Sequence, residues 1–99
     1  MSSRNAYLDL EQRKSALALY RSLIEVQKRF IQGERKVASL IETGQRALAE
    51  EPSVRLDYLE IVDPETLDQL DDVSHRALAA VAAFVGNTRL IDNIMLNAA

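Results

Sequence analysis

Val54 to Leu67 reads VRLDYLEIVDPETL, and the order of elements follows from it. Val54, Leu56, Tyr58 and Val62 alternate with Arg55, Asp57 and Ile61, which leaves Glu60 on the mainly apolar side. A period of two in a stretch rich in β-branched and aromatic residues predicts a strand from about Val54 to Val62. Asp63-Pro64 ends it, because proline has no N–H for the ladder and restricts the residue before it.

Upstream the period changes to that of a helix. Asp9 is placed to cap one, with Gln12 three residues on as in a capping box. From Leu10, Leu17, Ile24 and Ile31 recur every seven residues, and Ala16, Leu19, Leu23, Val26 and Phe30 fill the adjoining row. This predicts an amphipathic helix of about six turns. Arg13, Lys14, Arg21, Glu25, Lys28 and Arg29 fall largely on its opposite side, and Tyr20 is read as core or boundary. Gly33 interrupts the pattern as a glycine just past a helix end does. A second helix is expected from about Glu34 to Ala49, with Gly44 on its apolar stripe permitting close approach of a neighbour and Pro52 closing it.

Downstream, DPETLDQLDDVSHR crowds Asp63, Glu65, Asp68, Asp71 and Asp72. The spacing fails the calcium-loop pattern, with Pro64, Leu67 and Leu70 intruding and no glycine at the sixth position. A solvated acidic connection with a short extended piece at Leu67 to Leu70 is expected. His75, the one histidine, has no cysteine or second histidine to share a metal, and is read as a surface or capping residue. Ala77 to Val85 (ALAAVAAFV) is ambiguous, since alanine favours a helix. Gly86-Asn87 decides for a strand, because glycine at the first central position marks a type II′ hairpin. A two-residue loop sets Val85 opposite Thr88 and Ala83 opposite Leu90. TRLIDNIML beyond it then alternates, Leu90 and Ile94 on one side, Ile91 and Met95 on the other. The small side chains of Ala79, Ala80, Ala82 and Ala83 are read as room for a helix against the sheet. The fold class is therefore α+β: two helices packed on a small three-stranded, mainly antiparallel sheet.

Ninety-nine residues, 47% apolar and 27% charged, suit one soluble domain with a modest core. Residues 1–50 hold nine Lys/Arg against six Asp/Glu, and residues 51–99 three against nine. That balance argues against nucleic acid as a partner, which needs a concentrated basic footprint. No apolar run approaches the roughly 20 residues of a membrane span, and no apolar region follows Met1 as in a signal peptide. With no cysteine, a cytoplasmic location is expected. No nucleophile–base pair, Walker loop or GxGxxG is present. The N-terminal MSSRNAYL is suggestive: two adjacent hydroxyls and a planar guanidinium can donate several hydrogen bonds to phosphate oxygens.

Four blocks occur in order: MSSRNAYL, Glu11-Gln12-Arg13, LDYLEIVDPETL (Leu56 to Leu67) and VAAFVGNTRLIDN (Val81 to Asn93). Together they resemble the C-terminal portion of the pantothenate synthetase (pantoate–β-alanine ligase) family, over essentially the whole chain. The resemblance implies a lid domain, residues 9–99, behind an ATP-contacting hinge, residues 1–8, in a cytoplasmic AMP-forming ligase. Such an enzyme makes pantothenate from pantoate and β-alanine through a pantoyl adenylate. Met1, Ser2, Ser3 and Arg4 would be the ATP-binding residues, in the manner of a KMSKS loop, with Asn5 and Tyr7 fixing the segment to the domain. ATP with Mg2+ would be held mainly by an N-terminal Rossmann-like domain, the partner of this one, which also carries the family's dimer contact and its H-x-G-H motif. His75 does not substitute for that motif. No catalytic residue and no metal ligand is assigned in this chain, and alone it is expected to be inactive. A module of the same fold that binds another protein without catalysis is the alternative.

Overall fold

The computed structural model describes residues 10–97. Five elements follow one another: α1 (Leu10–Ile31), α2 (Val37–Ala49), β1 (Arg55–Val62), β2 (Arg76–Val85) and β3 (Thr88–Asn97). The strands form one antiparallel sheet in the order β1-β2-β3, and both helices pack on the same face of it. The expected α+β architecture is what forms.

α1 stops in a Schellman motif. The Glu34 N–H donates to the Arg29 carbonyl and the Gly33 N–H to that of Phe30, each at 3.0 Å, with Gly33 at φ 113°. α2 starts three residues later than the periodicity suggests, because Glu34, Arg35 and Lys36 are used as connection. Lys36 is extended and bridges to Asp72, while the Val73 N–H donates to the Arg35 carbonyl and the Val37 N–H to that of Asp71. Glu34 caps this entry. Its carboxylate accepts from the N–H groups of Lys36 and Arg35 and from the Ser39 hydroxyl, at 3.0 to 3.1 Å.

The buried stripe of α1 is rotated from the expected one. Leu19, Leu23, Val26 and Phe30 form its centre, each at most 2% exposed, and Ser15 and Ser22 are fully buried beside them. The serines are tolerated because each is paired. Ser22 Oγ donates to the Leu19 carbonyl at 2.6 Å, and Ser15 Oγ lies 3.1 Å from Ser53 Oγ. Leu17 and Ile31 are exposed instead, as is Tyr20, which is therefore not a core residue. Gly44 makes the predicted close approach: a Cβ there would lie 2.6 Å from Leu59 Cδ2 and 3.0 Å from Val26 Cγ2. Gly44→Ala is expected to lower stability by about 1 kcal/mol. Overpacking costs about 1 to 3 kcal/mol and outweighs the roughly 1 kcal/mol gained in helix propensity. A urea midpoint at or above the parent's would show that Leu59 swings clear.

The strand pattern needs one correction. β1 pairs Leu56 with Ala83 and Tyr58 with Ala82, so Asp57 is an extra, bulged residue. The bulge reverses the phase, since one added residue exchanges the two faces. Leu59 and Ile61 therefore face the helices, and Glu60 lies on the other face with Tyr58 and Val62. The β2–β3 hairpin has the expected register, Val85 opposite Thr88 and Ala83 opposite Leu90, and of its two turn residues, Gly86 and Asn87, Gly86 alone has positive φ, as type II′ requires. Of the alanines, Ala77, Ala79 and Ala83 lie in the core beneath the helices, whereas Ala80 and Ala82 belong to the opposite face. All five elements contribute to the core.

Candidate functional site

Met1, Ser2, Ser3 and Arg4 lie outside the described residues, as do Asn5, Tyr7 and Asp9. What the structure fixes is the element that carries them. α1 begins at Leu10, and its first turns are tied to the α2–β1 connection: Ser15 meets Ser53, whose hydroxyl also donates to Glu51 Oε1 at 2.9 Å.

The acidic connection is built for shape. Asp63 Oδ1 accepts from the N–H groups of Glu65 at 2.8 Å and Thr66 at 3.1 Å, and those bonds, Thr66 first, hold its carboxyl below its ordinary range. The Leu67 N–H donates to the Asp63 carbonyl, and Leu67 takes φ 63° to complete the turn. The chain then runs extended beside β1, with Gln69 opposite Val62. Among the described residues, no three His, Cys, Asp or Glu side chains stand close enough together to hold a metal ion. His75 is exposed.

The other carboxyl with a lowered pKa is Glu34, held below its ordinary 4.5 by the Lys36 N–H first, then the Ser39 hydroxyl, the Arg35 N–H and the Arg29 charge. A lowered folded-state pKa stabilises above the unfolded value and is lost as pH falls through the folded one. Glu34→Gln is therefore expected to destabilise at pH 7. Its deficit in urea midpoint should shrink steadily below the ordinary 4.5. A deficit constant down to acid pH would assign the cap's contribution to hydrogen-bond geometry alone.

Two described surfaces are open to a partner. One is the outer groove between α1 and α2, where Leu17 and Tyr20 are 53% and 52% exposed among Lys14, Arg21 and Arg46. The other is the sheet face away from the helices. There Arg55, Phe84 and Arg89 form one cross-strand row, and Tyr58, Ala82 and Ile91 the next. Arg55 lies over the Phe84 ring at 5.3 Å and Arg89 over the Tyr58 ring at 5.6 Å. Arg89 also pairs with the bulged Asp57 at 3.0 Å. Sequence reading missed this face. Ile91 and Met95 were already read on one side of β3, but Tyr58 joins them only once the bulge at Asp57 is known.

A helical hairpin on one face of a three-stranded antiparallel sheet places the described residues in the α+β class. Comparison gives the family. A profile described as pantoate-beta-alanine ligase matches residues 1–95, and the chain belongs to that family. It is 54% identical over 99 residues to a pantothenate synthetase of Koribacter versatilis, covering all of this chain and 34% of that protein. A pantothenate synthetase of Acidobacterium capsulatum is 52% identical, covering 97% of this chain and 32% of its own. The crystal structure of pantothenate synthetase from Thermus thermophilus superposes with a TM-score of 0.85 at 45% identity, over 95% of this chain and 34% of that one. The chain thus spans about a third of the length of these relatives, and it corresponds to their C-terminal part.

Proposed function

We propose that this chain is the C-terminal lid domain of an ATP-dependent, AMP-forming ligase that joins pantoate to β-alanine. The observation that carries the reading is the family match over residues 1–95, which includes the MSSRN segment, together with a shared fold at 45% identity. In the reaction, a carboxylate oxygen of pantoate attacks the α-phosphorus of ATP, the bond to the bridging oxygen breaks and pyrophosphate leaves. The amine of β-alanine then attacks the acyl carbon, and pantothenate and AMP are released.

This chain's share is to hold the triphosphate. Ser2 and Ser3 donate hydroxyl hydrogens to phosphate oxygens. Arg4 places its guanidinium where charge gathers on the departing pyrophosphate, and Met1 lies against the adenine. Donors aimed at developing charge lower the barrier more than donors aimed at the ground state. Mg2+, with pantoate, β-alanine and the dimer contact, would be held by the remainder of the enzyme and would supply charge neutralisation at the phosphates. The setting is cytoplasmic, and no helix among the described residues is long and apolar enough to cross a membrane.

The test is pantoate-dependent ATP–pyrophosphate exchange. It is run on this chain, on the remaining two-thirds of the Koribacter relative, and on the two mixed or joined. Exchange only when both are present is expected. Exchange by this chain alone, or none from the joined protein, would overturn the reading.

A further inference from the structure

The heptad that the core does not use is left on the surface of α1. Leu17, Ile24 and Ile31 recur every seven residues, with Tyr20 three residues after the first. They lie away from the buried seam of Leu19, Leu23, Val26 and Phe30. Leu17 is 53% exposed, Tyr20 52% and Ile31 74%, and Ile24 is half-buried. Lys14, Arg21 and Lys28 repeat at the same spacing in the adjoining row, and all three are exposed. Lys28 pairs with Glu25 of its own helix at 3.3 Å, while Lys14 and Arg21 enter no ion pair among the described residues. An apolar row beside a basic one thus follows about 25 Å of helix, from Lys14 to Ile31.

We infer that this stripe receives one helix of another protein, apolar at heptad spacing and acidic along one flank. Such a helix sets its apolar row on Leu17, Ile24 and Ile31 and its acids on the basic row, as paired amphipathic helices do. Charge and shape select it over two other occupants. A second copy laid α1 on α1 brings no acidic row to the basic one, because α1 holds only Glu11 and Glu25 as acids. The α2 of a second copy has the acids but not the apolar row, since Val37, Leu40 and Leu48 are buried and Ile41 packs on the core. A flat anionic bilayer would lie across both helices and meet Glu42, Glu50 and Glu51, which line the α2 side of the groove. A single helix, about 10 Å across, follows α1 alone. The inference does not rest on the proposed activity.

The probe is a fluorescein-labelled helical peptide with leucine at the first and fourth positions of each heptad and glutamate on the flank. It is titrated by fluorescence anisotropy against the 99-residue chain. Saturable binding that weakens as salt is raised is expected. Leu17→Lys and Arg21→Glu, both at exposed positions, should each weaken it by about tenfold or more. Ile91→Lys, on the sheet side, should leave it unchanged. A peptide with lysine in place of glutamate should bind Arg21→Glu better than it binds the parent. No binding, or binding that Leu17→Lys leaves intact, would overturn the inference. So would binding lost when the chain is joined to the remaining two-thirds of the Koribacter relative, which would make the ligase itself the occupant. Self-association abolished by Leu17→Lys would assign the stripe to a second copy, and tighter binding to anionic vesicles than to the peptide would assign it to a membrane; either result overturns it.

Discussion

Arg4→Ala in the full-length ligase is expected to slow pantoate-dependent ATP–pyrophosphate exchange by about 30- to 900-fold, the equivalent of about 2 to 4 kcal/mol of transition-state stabilisation. The size follows from where the charge goes. As the bond to the α-phosphorus breaks, negative charge concentrates on pyrophosphate, and a guanidinium meets it with paired N–H donors in a fixed plane. Arg4→Lys keeps the charge but loses the fork, so an intermediate rate is expected. The loss should fall on kcat more than on the KM for ATP, because the contact strengthens as pyrophosphate departs. Ser2→Ala and Ser3→Ala remove neutral donors and should each cost less. Unchanged exchange in Arg4→Ala would remove Arg4 from the site, and a loss confined to KM would make it a ground-state contact.

The residue types of MSSRN suggest phosphate, since hydroxyls beside an arginine suit it, but they carry no family specificity. Only the blocks taken together, at Glu11-Gln12-Arg13, Leu56 to Leu67 and Val81 to Asn93, identify the family, and the matched profile bears that out. The acidic connection shows the opposite case. Five carboxylates invite a metal reading, yet Asp63 spends its Oδ1 on two backbone N–H groups.

Element type was read correctly throughout, including the alanine-rich β2, where the Gly86-Asn87 turn overrode helix propensity. The phase of β1 was not. Periodicity assigns faces only while the count is unbroken, and nothing in LDYLEI marks Asp57 as supernumerary. The bulge is visible only from its partners, with Leu56 and Tyr58 opposite the consecutive Ala83 and Ala82. The β1 part of the sheet face away from the helices was hidden for the same reason, with Glu60 placed inward and Ile61 outward.

The α1 stripe reads too wide from sequence, and the error makes its own test. Periodicity takes in the heptad Leu17, Ile24 and Ile31 together with the adjoining row Ala16, Leu19, Leu23, Val26 and Phe30. Burial shows the seam one position aside, through Leu19, Leu23, Val26 and Phe30, with Ser15 and Ser22 sheltered by hydrogen bonds. Leu23 is fully buried, whereas its neighbour Ile24 is only half-buried, on the groove facing α2. Leu23→Ala should therefore cost about 2 to 5 kcal/mol, the transfer term of the lost methyls plus the cavity left in a site closed on all sides. Ile24→Ala, the core substitution if the heptad were the seam, should cost less, about 1 kcal/mol, since water fills the groove and no void forms. Domains of this size hold only about 5 to 15 kcal/mol in all, so the first variant should lose a large part of its urea midpoint while the second stays near the parent. Equal midpoints for the two variants would return the seam to the heptad. A larger loss for Ile24→Ala would mean that the groove between the helices is closed in solution.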